Sequence, residues 1–160
     1  MTTLGYLLVF LLFLVTQTVF VPFIEIAGVR PDVLLIFLVI FGMKRERIVG
    51  TVSGFGIGLI QDLFTAGFLG ANALVKTLTG FLVQPFSSEK SRETAVGFGW
   101  RFFWLAFLHD LLLSWIFAWG NTISVWFFLV RFVVPGAVYS TVAALIVFAV
   151  LPGSFFSSDD

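Results

Sequence analysis

Ionisable side chains inside otherwise apolar sequence are where this chain could carry chemistry. The stretch "GLIQDLFTAGFLGANALVKTLTG", Gly58 to Gly80, holds Asp62 and Lys76, and neither has an opposite charge within one helical turn. A lone charge at a bilayer centre costs about 2.5–3.5 kcal/mol on insertion scales. Asp62 and Lys76 lie at similar distances on either side of a turn near Phe68-Leu69. At 1.5 Å rise per residue both fall ~10 Å below the same helix ends. The spacing therefore predicts one buried Asp62–Lys76 contact. The same arithmetic about Gly120-Asn121 predicts a second pair, Asp110 with Arg131. His109 adjoins Asp110 but projects ~100° away around the helix, toward a different neighbour. Such charges either fix helix register or line a substrate or proton path.

Other chemistries find no support. Ser114 and His109 share one helix five residues apart, and no nucleophile elbow accompanies them. The chain has no cysteine and a single histidine, so thiolate chemistry, disulfides and a histidine-based metal centre are not expected. The glycines of "GFGIG" follow no strand, which excludes a phosphate-binding loop. Nine basic and nine acidic residues balance to zero net charge, leaving no field to attract nucleic acid. No cofactor and no enzymatic activity are expected.

Positioning these residues falls to membrane helices. Of 160 residues, 59% are hydrophobic and 11% charged, with a mean hydropathy of +1.09. Soluble domains carry about 25% charged residues. The reading is an all-α integral membrane protein, one domain over residues 1–160, with six transmembrane helices. The first apolar run, about 4–24, has no basic residue before it and no small-residue cleavage site after it, so it reads as a retained span rather than a signal peptide. The second, about 31–47, opens on Pro31 and Asp32, a proline and an acid suited to a first turn. The third and fourth run over about 49–64 and 69–86. After a polar "SSEKSRET" loop comes the fifth, about 96–119. The sixth, about 123–151, should kink at Pro135-Gly136 and stop at Pro152-Gly153.

In the third span Gly50, Gly54 and Gly58 recur every four residues and form one flat strip, suited to close packing against an internal helix or a partner chain. Lys44, Arg45 and Arg47 fall in one loop, Lys90 and Arg92 in another, and both loops are assigned to the cytoplasm with both termini. Trp119 and Trp126 flank the last outer turn. The basic "MKRER" loop serves as a topology signal or as a contact for a cytoplasmic partner or anionic lipid.

Three motifs in order carry a family resemblance: "RPD" (Arg30, Pro31, Asp32), "GFGIGLIQDLF" from Gly54 to Phe64, and "GFLGANALVKTLTGFL" from Gly67 to Leu82. Together they resemble the rod shape-determining protein MreD family over residues 30–82. The resemblance implies a multi-pass bacterial inner-membrane protein of the cell-elongation machinery for peptidoglycan synthesis. It further implies a scaffold that binds MreC and works with RodA, its class B penicillin-binding transpeptidase and, indirectly, MreB. The implied six-helix fold is similar to the S-components of energy-coupling-factor transporters. The alternative is therefore a substrate-binding subunit for uptake of a vitamin or other small molecule, with Arg30, Asp32, Asp62 and Lys76 lining an outward pocket. The segment with His109, Asp110 and Arg131 matches no motif of the family.

Overall fold

The computed structural model describes residues 3–65, 68–86, 94–118 and 125–150. Among them the fold is all-α, as the composition leads one to expect, and forms six helical rods. The first, α1, is an α-helix over Thr3–Val15, a π-turn over Thr16–Phe20 and a 3-10 turn over Val21–Ile24. Next come α2 (Val33–Gly42), α3 (Arg47–Phe64), α4 (Ala71–Phe86) and α5 (Ala95–Ala118). The last, α6, runs Val125–Phe128, through a π-turn at Leu129–Val133, to Val134–Val150. The loop with Lys90 and Arg92, the turn at Gly120-Asn121 with Trp119, and the stop at Pro152-Gly153 lie outside the described residues.

Three of these rods are long and apolar enough to cross a membrane: Leu4–Ile24, Ala95–Ala118 and Trp126–Val150. The second rod differs from its expected extent. The sequence suggests a helix from Pro31 to Arg47, whereas α2 ends at Gly42, 10 residues long. That is about 15 Å of rise against a hydrocarbon core of ~30 Å. The chain turns instead: Lys44 N–H bonds Phe41 C=O at 3.3 Å and Arg45 N–H bonds Gly42 C=O at 3.2 Å. These short-range bonds redirect the backbone into α3.

The short helix is the centre of the molecule. The segment "VLLIFLVIFG", apolar on every face, suits burial in protein or lipid alike, and here protein covers it: Leu34, Leu35, Ile36 and Leu38 are all fully buried. Around it pack Phe13 of α1, Phe98, Phe102 and Leu105 of α5, and Ala137 and Ala144 of α6. Between α1 and α2 the chain reverses in a two-residue turn. Ile26 and Val29 exchange backbone bonds of 3.0 and 2.9 Å, with Ala27 and Gly28 at φ 54° and 83°. Positive φ suits Gly28 but strains an alanine. Ala27 is held there because its carbonyl accepts a 2.7 Å bond from Arg131 Nη2, while Tyr139 Oη donates to Ile24 C=O at 2.8 Å.

In α6 the expected irregularity at Pro135-Gly136 takes the form of a π-turn just before it. Val134, not Pro135, closes that turn by donating to Leu129 C=O. Pro135 has no N–H to offer the preceding turn, and the wider ring absorbs the missing bond.

The glycine strip packs within the chain. A Cβ at Gly54 would lie 2.1 Å from Lys76 C=O, at Gly58 2.4 Å from Asn72 C=O, and at Gly50 2.7 Å from Gly80 C=O. Gly80 answers from α4, where a Cβ would lie 2.2 Å from Gly50 C=O. So α3 and α4 touch backbone to backbone along their length, which only residues without side chains permit. Gly56, on the same helix, has open space. Gly54→Ala should therefore cost about 1–3 kcal/mol or more through overpacking, whereas Gly56→Ala should be neutral or stabilise by up to ~1 kcal/mol. Thermal unfolding of the two variants in one detergent checks this. Equal melting temperatures would refute the close contact.

Candidate functional site: a buried polar network

Every helix begins with N–H groups that have no partner inside it. In a membrane interior such groups must be met by the protein itself. At the start of α2 three side chains from three rods do this. Asp32 caps its own helix, its Oδ1 accepting from Leu35 N–H at 2.8 Å. Gln17 Oε1, turned inward by the π-turn of α1, accepts from Val33 N–H at 2.7 Å. Ser140 Oγ of α6 accepts from Asp32 N–H at 3.0 Å.

At the start of α4 the cap comes from the neighbouring helix. Asp62, near the end of α3, accepts from Gly70 N–H at 2.9 Å, Asn72 N–H at 3.1 Å and Ala73 N–H at 3.0 Å. Asn72 Nδ2 adds a fourth bond at 2.8 Å. A carboxylate at the positive end of a helix dipole is well placed electrostatically, and Asp62 is 5% exposed. This corrects the expected pairing, since Asp62 is committed to backbone donors and Lys76 lies elsewhere. The two do not share a depth either: Gly54 lies against Lys76 and Gly58 against Asn72, so Asp62, eight residues on from Gly54, stands about 12 Å along the axis from the level of Lys76.

Lys76 is wholly buried. Its ammonium pairs with Asp32 Oδ2 and donates to His109 Nε2 at 3.2 Å. An ammonium has only donors, so Nε2 must accept and the ring proton belongs on Nδ1. From there it is donated to Asp110 Oδ1 at 3.0 Å. Asp110 Oδ2 in turn lies against α6, 2.7 Å from where a Cβ on Gly136 would stand. The second expected pair is thus also replaced: Asp110 bonds its neighbour His109, and Arg131 secures the turn at Ala27. The residues form one line, Asp32–Lys76–His109–Asp110, joining α2, α4 and α5, with Ser140 and Gly136 of α6 beside its two ends. Arg30, exposed, pairs with Glu25 and stands apart from it.

The network can lock four rods in one register and could hold a proton along the Lys76–His109–Asp110 line. Among the described residues no group of acidic, histidine or cysteine side chains is placed to hold a metal ion. A cavity of about 250 Å³ between α5 and α6 is lined chiefly by Leu111, Leu112, Trp115, Phe128 and Leu129. It offers apolar surface only, apart from Ser114. Gln17, Asn72 and Ser140 escaped the sequence reading. Their signal was a small polar side chain inside an apolar run, which in lipid is itself a mark of a buried partner.

Lys76→Met should destabilise by about 3–5 kcal/mol, because it strands the Asp32 carboxylate. Asp32→Asn combined with Lys76→Met should recover part of that loss, giving a coupling of about 0.5–3 kcal/mol. Asp62→Asn combined with Lys76→Met should be additive within ~0.5 kcal/mol, since the two residues share no partner. A double-mutant cycle on unfolding in detergent measures both. Strong Asp62–Lys76 coupling would overturn the assignment.

Comparison with known proteins agrees with the motifs. The model of one family, described as rod shape-determining protein MreD, matches residues 1–153. No curated protein matches the chain, and no solved structure does either. Matching nearly end to end, and built from apolar helices around a buried polar network, the chain belongs to the MreD family of bacterial inner-membrane, rod shape-determining proteins.

Proposed function

We propose that this chain is a non-catalytic membrane scaffold of the cell-elongation machinery, which binds MreC and links it to RodA and its class B transpeptidase, with MreB reached indirectly. The observation that carries the reading is the family match over residues 1–153. The structure adds a physical argument. The charged groups that chemistry or ligand capture would need are already engaged with one another: Lys76 with Asp32 and His109, Asp62 with the start of α4, Arg30 with Glu25. What remains for partners is helix surface and end loops. Of the three spanning rods α1 is the least covered, with 6% of its apolar window buried against 22% and 28% for the other two.

The proposal includes six crossings with both termini in the cytoplasm and a six-helix fold similar to that of S-components. In it the α3–α4 hairpin and short α2 complete a bundle whose three long rods face lipid. An uptake role is disfavoured by the same engagement of charges. Arg30, Asp32, Asp62 and Lys76 were the residues to line a polar pocket, and each has an internal partner.

Affinity purification of the tagged chain in mild detergent, read by mass spectrometry, tests the function. Retention of MreC is expected, and retention of an ATPase module without MreC would overturn the proposal. Topology is tested separately with single cysteines at Ser88 and Asn121. Asn121 should label from the periplasm and Ser88 only after permeabilisation, and the reverse pattern would invert the assignment.

A further inference from the structure

The corner where α1 begins, α2 ends, α3 begins and α4 ends gathers basic side chains on aromatic rings. The Arg45 guanidinium lies over Tyr6 at 5.1 Å and over Phe41 at 5.4 Å. Those two rings meet edge to face at 5.3 Å. The Arg47 guanidinium lies over Phe81 at 4.8 Å and donates to Gln84 Oε1 at 3.3 Å. Both arginines are exposed, and among the described residues neither pairs with a carboxylate. Ring stacking limits the motion of a guanidinium without neutralising it. Two cations are thus held in place with their charge unspent.

Beneath Arg45 a shallow crevice runs between α1 and α2, lined by Tyr6, Val9, Phe13, Phe37, Ile40 and Phe41, with Lys44 alongside. From Phe13 to Tyr6 it extends about 10 Å along the helix axis. It leads from the charged corner into the part of the molecule that faces hydrocarbon, where Leu7, Leu8 and Leu11 are exposed. Fixed positive charge at one end and an aromatic-lined apolar furrow below it complement one kind of molecule, an anion with a hydrocarbon tail.

We propose that this corner binds one anionic phospholipid, its phosphate held by Arg45 and Arg47 and an acyl chain laid along the α1–α2 crevice. The planar guanidinium matches phosphate oxygens in paired hydrogen bonds, and basic residues at a membrane surface favour anionic lipid. A soluble acidic protein would use the charges but leave the crevice empty. The site stands independently of the scaffold reading, since it requires only that the chain sits in a bilayer.

Native mass spectrometry of the full chain, titrated with dioleoyl phosphatidylglycerol or dioleoyl phosphatidylcholine, tests it. Phosphatidylglycerol adducts should form preferentially with a stoichiometry near one. Arg45→Gln and Arg47→Gln should each weaken them about fivefold, the effect of one basic residue near an anionic surface. Arg45→Lys should keep most of the binding, and Arg30→Gln, at the other end of the bundle and paired with Glu25, should change nothing. Melting temperatures identify any variant that fails to fold, and the two-lipid competition on the unaltered chain decides in that case. Equal binding of both lipids, unchanged binding in the two glutamine variants, or an equal loss in Arg30→Gln would overturn the proposal. So would a glutamine variant that loses a soluble acidic partner while its lipid adducts persist.

Discussion

The first backbone N–H groups of a helix point along its axis with nothing in the helix to receive them, and lipid offers no water to do so. Two helices in this protein start inside the bundle, α2 and α4. Much of the rest of the structure follows from how they are terminated. Each is met by a carboxylate: Asp32 at the head of its own helix, Asp62 reaching across from α3. The four bonds to Asp62 tie the end of one helix to the beginning of the next. That requires α3 and α4 to run in contact, which the glycine strip allows.

Capping by Asp32 turns a largely covered negative charge in among the helices, and that charge calls for a cation. Lys76 supplies it from α4, fully buried, and His109 accepts the lysine's second bond. The polar line then extends to Asp110, against the glycine of α6. Buried ion pairs of this kind add little net stability compared with well-packed apolar residues, but breaking one is costly. Their effect is to make wrong registers expensive. This suits helices packed in lipid, where apolar contact alone discriminates register poorly. Gln17 and Ser140 extend the same logic to α1 and α6, so that five of the six rods are referred to one point.

Around that point the molecule is asymmetric from end to end. The end with Asp32 and Asp62 spends its polar groups inward on backbone and on each other. The end with Arg45 and Arg47 keeps its cations outward, propped on aromatic rings. One molecule thus presents apolar flanks along its long rods and a charged rim at one end.

Much was legible in the sequence because it depends on local composition. Apolar runs set apart by polar breaks announced the helices, a period of four residues announced the glycine face, and Pro31-Asp32 announced a helix start. The three ordered motifs were enough to indicate the family. Relative depth was not readable: counting from Phe68-Leu69 put Asp62 and Lys76 at one level, whereas Gly54 lies against Lys76 and the helix register sets the two about 12 Å apart. What the sequence left undetermined was therefore both register and azimuth. A residue at a known depth can face any neighbour, and rotation about the helix axis is set by packing between distant segments. Lys76 turns to Asp32, 44 residues away, while Asp62 turns to backbone donors of the next helix. Arg131 turns to the strained Ala27 turn, 104 residues away, instead of to Asp110. Charge complementarity alone paired the nearest opposite signs across each turn. Only the tertiary structure could weigh those pairs against the unmet N–H groups at buried helix starts, whose positions depend on where α2 and α4 begin in three dimensions.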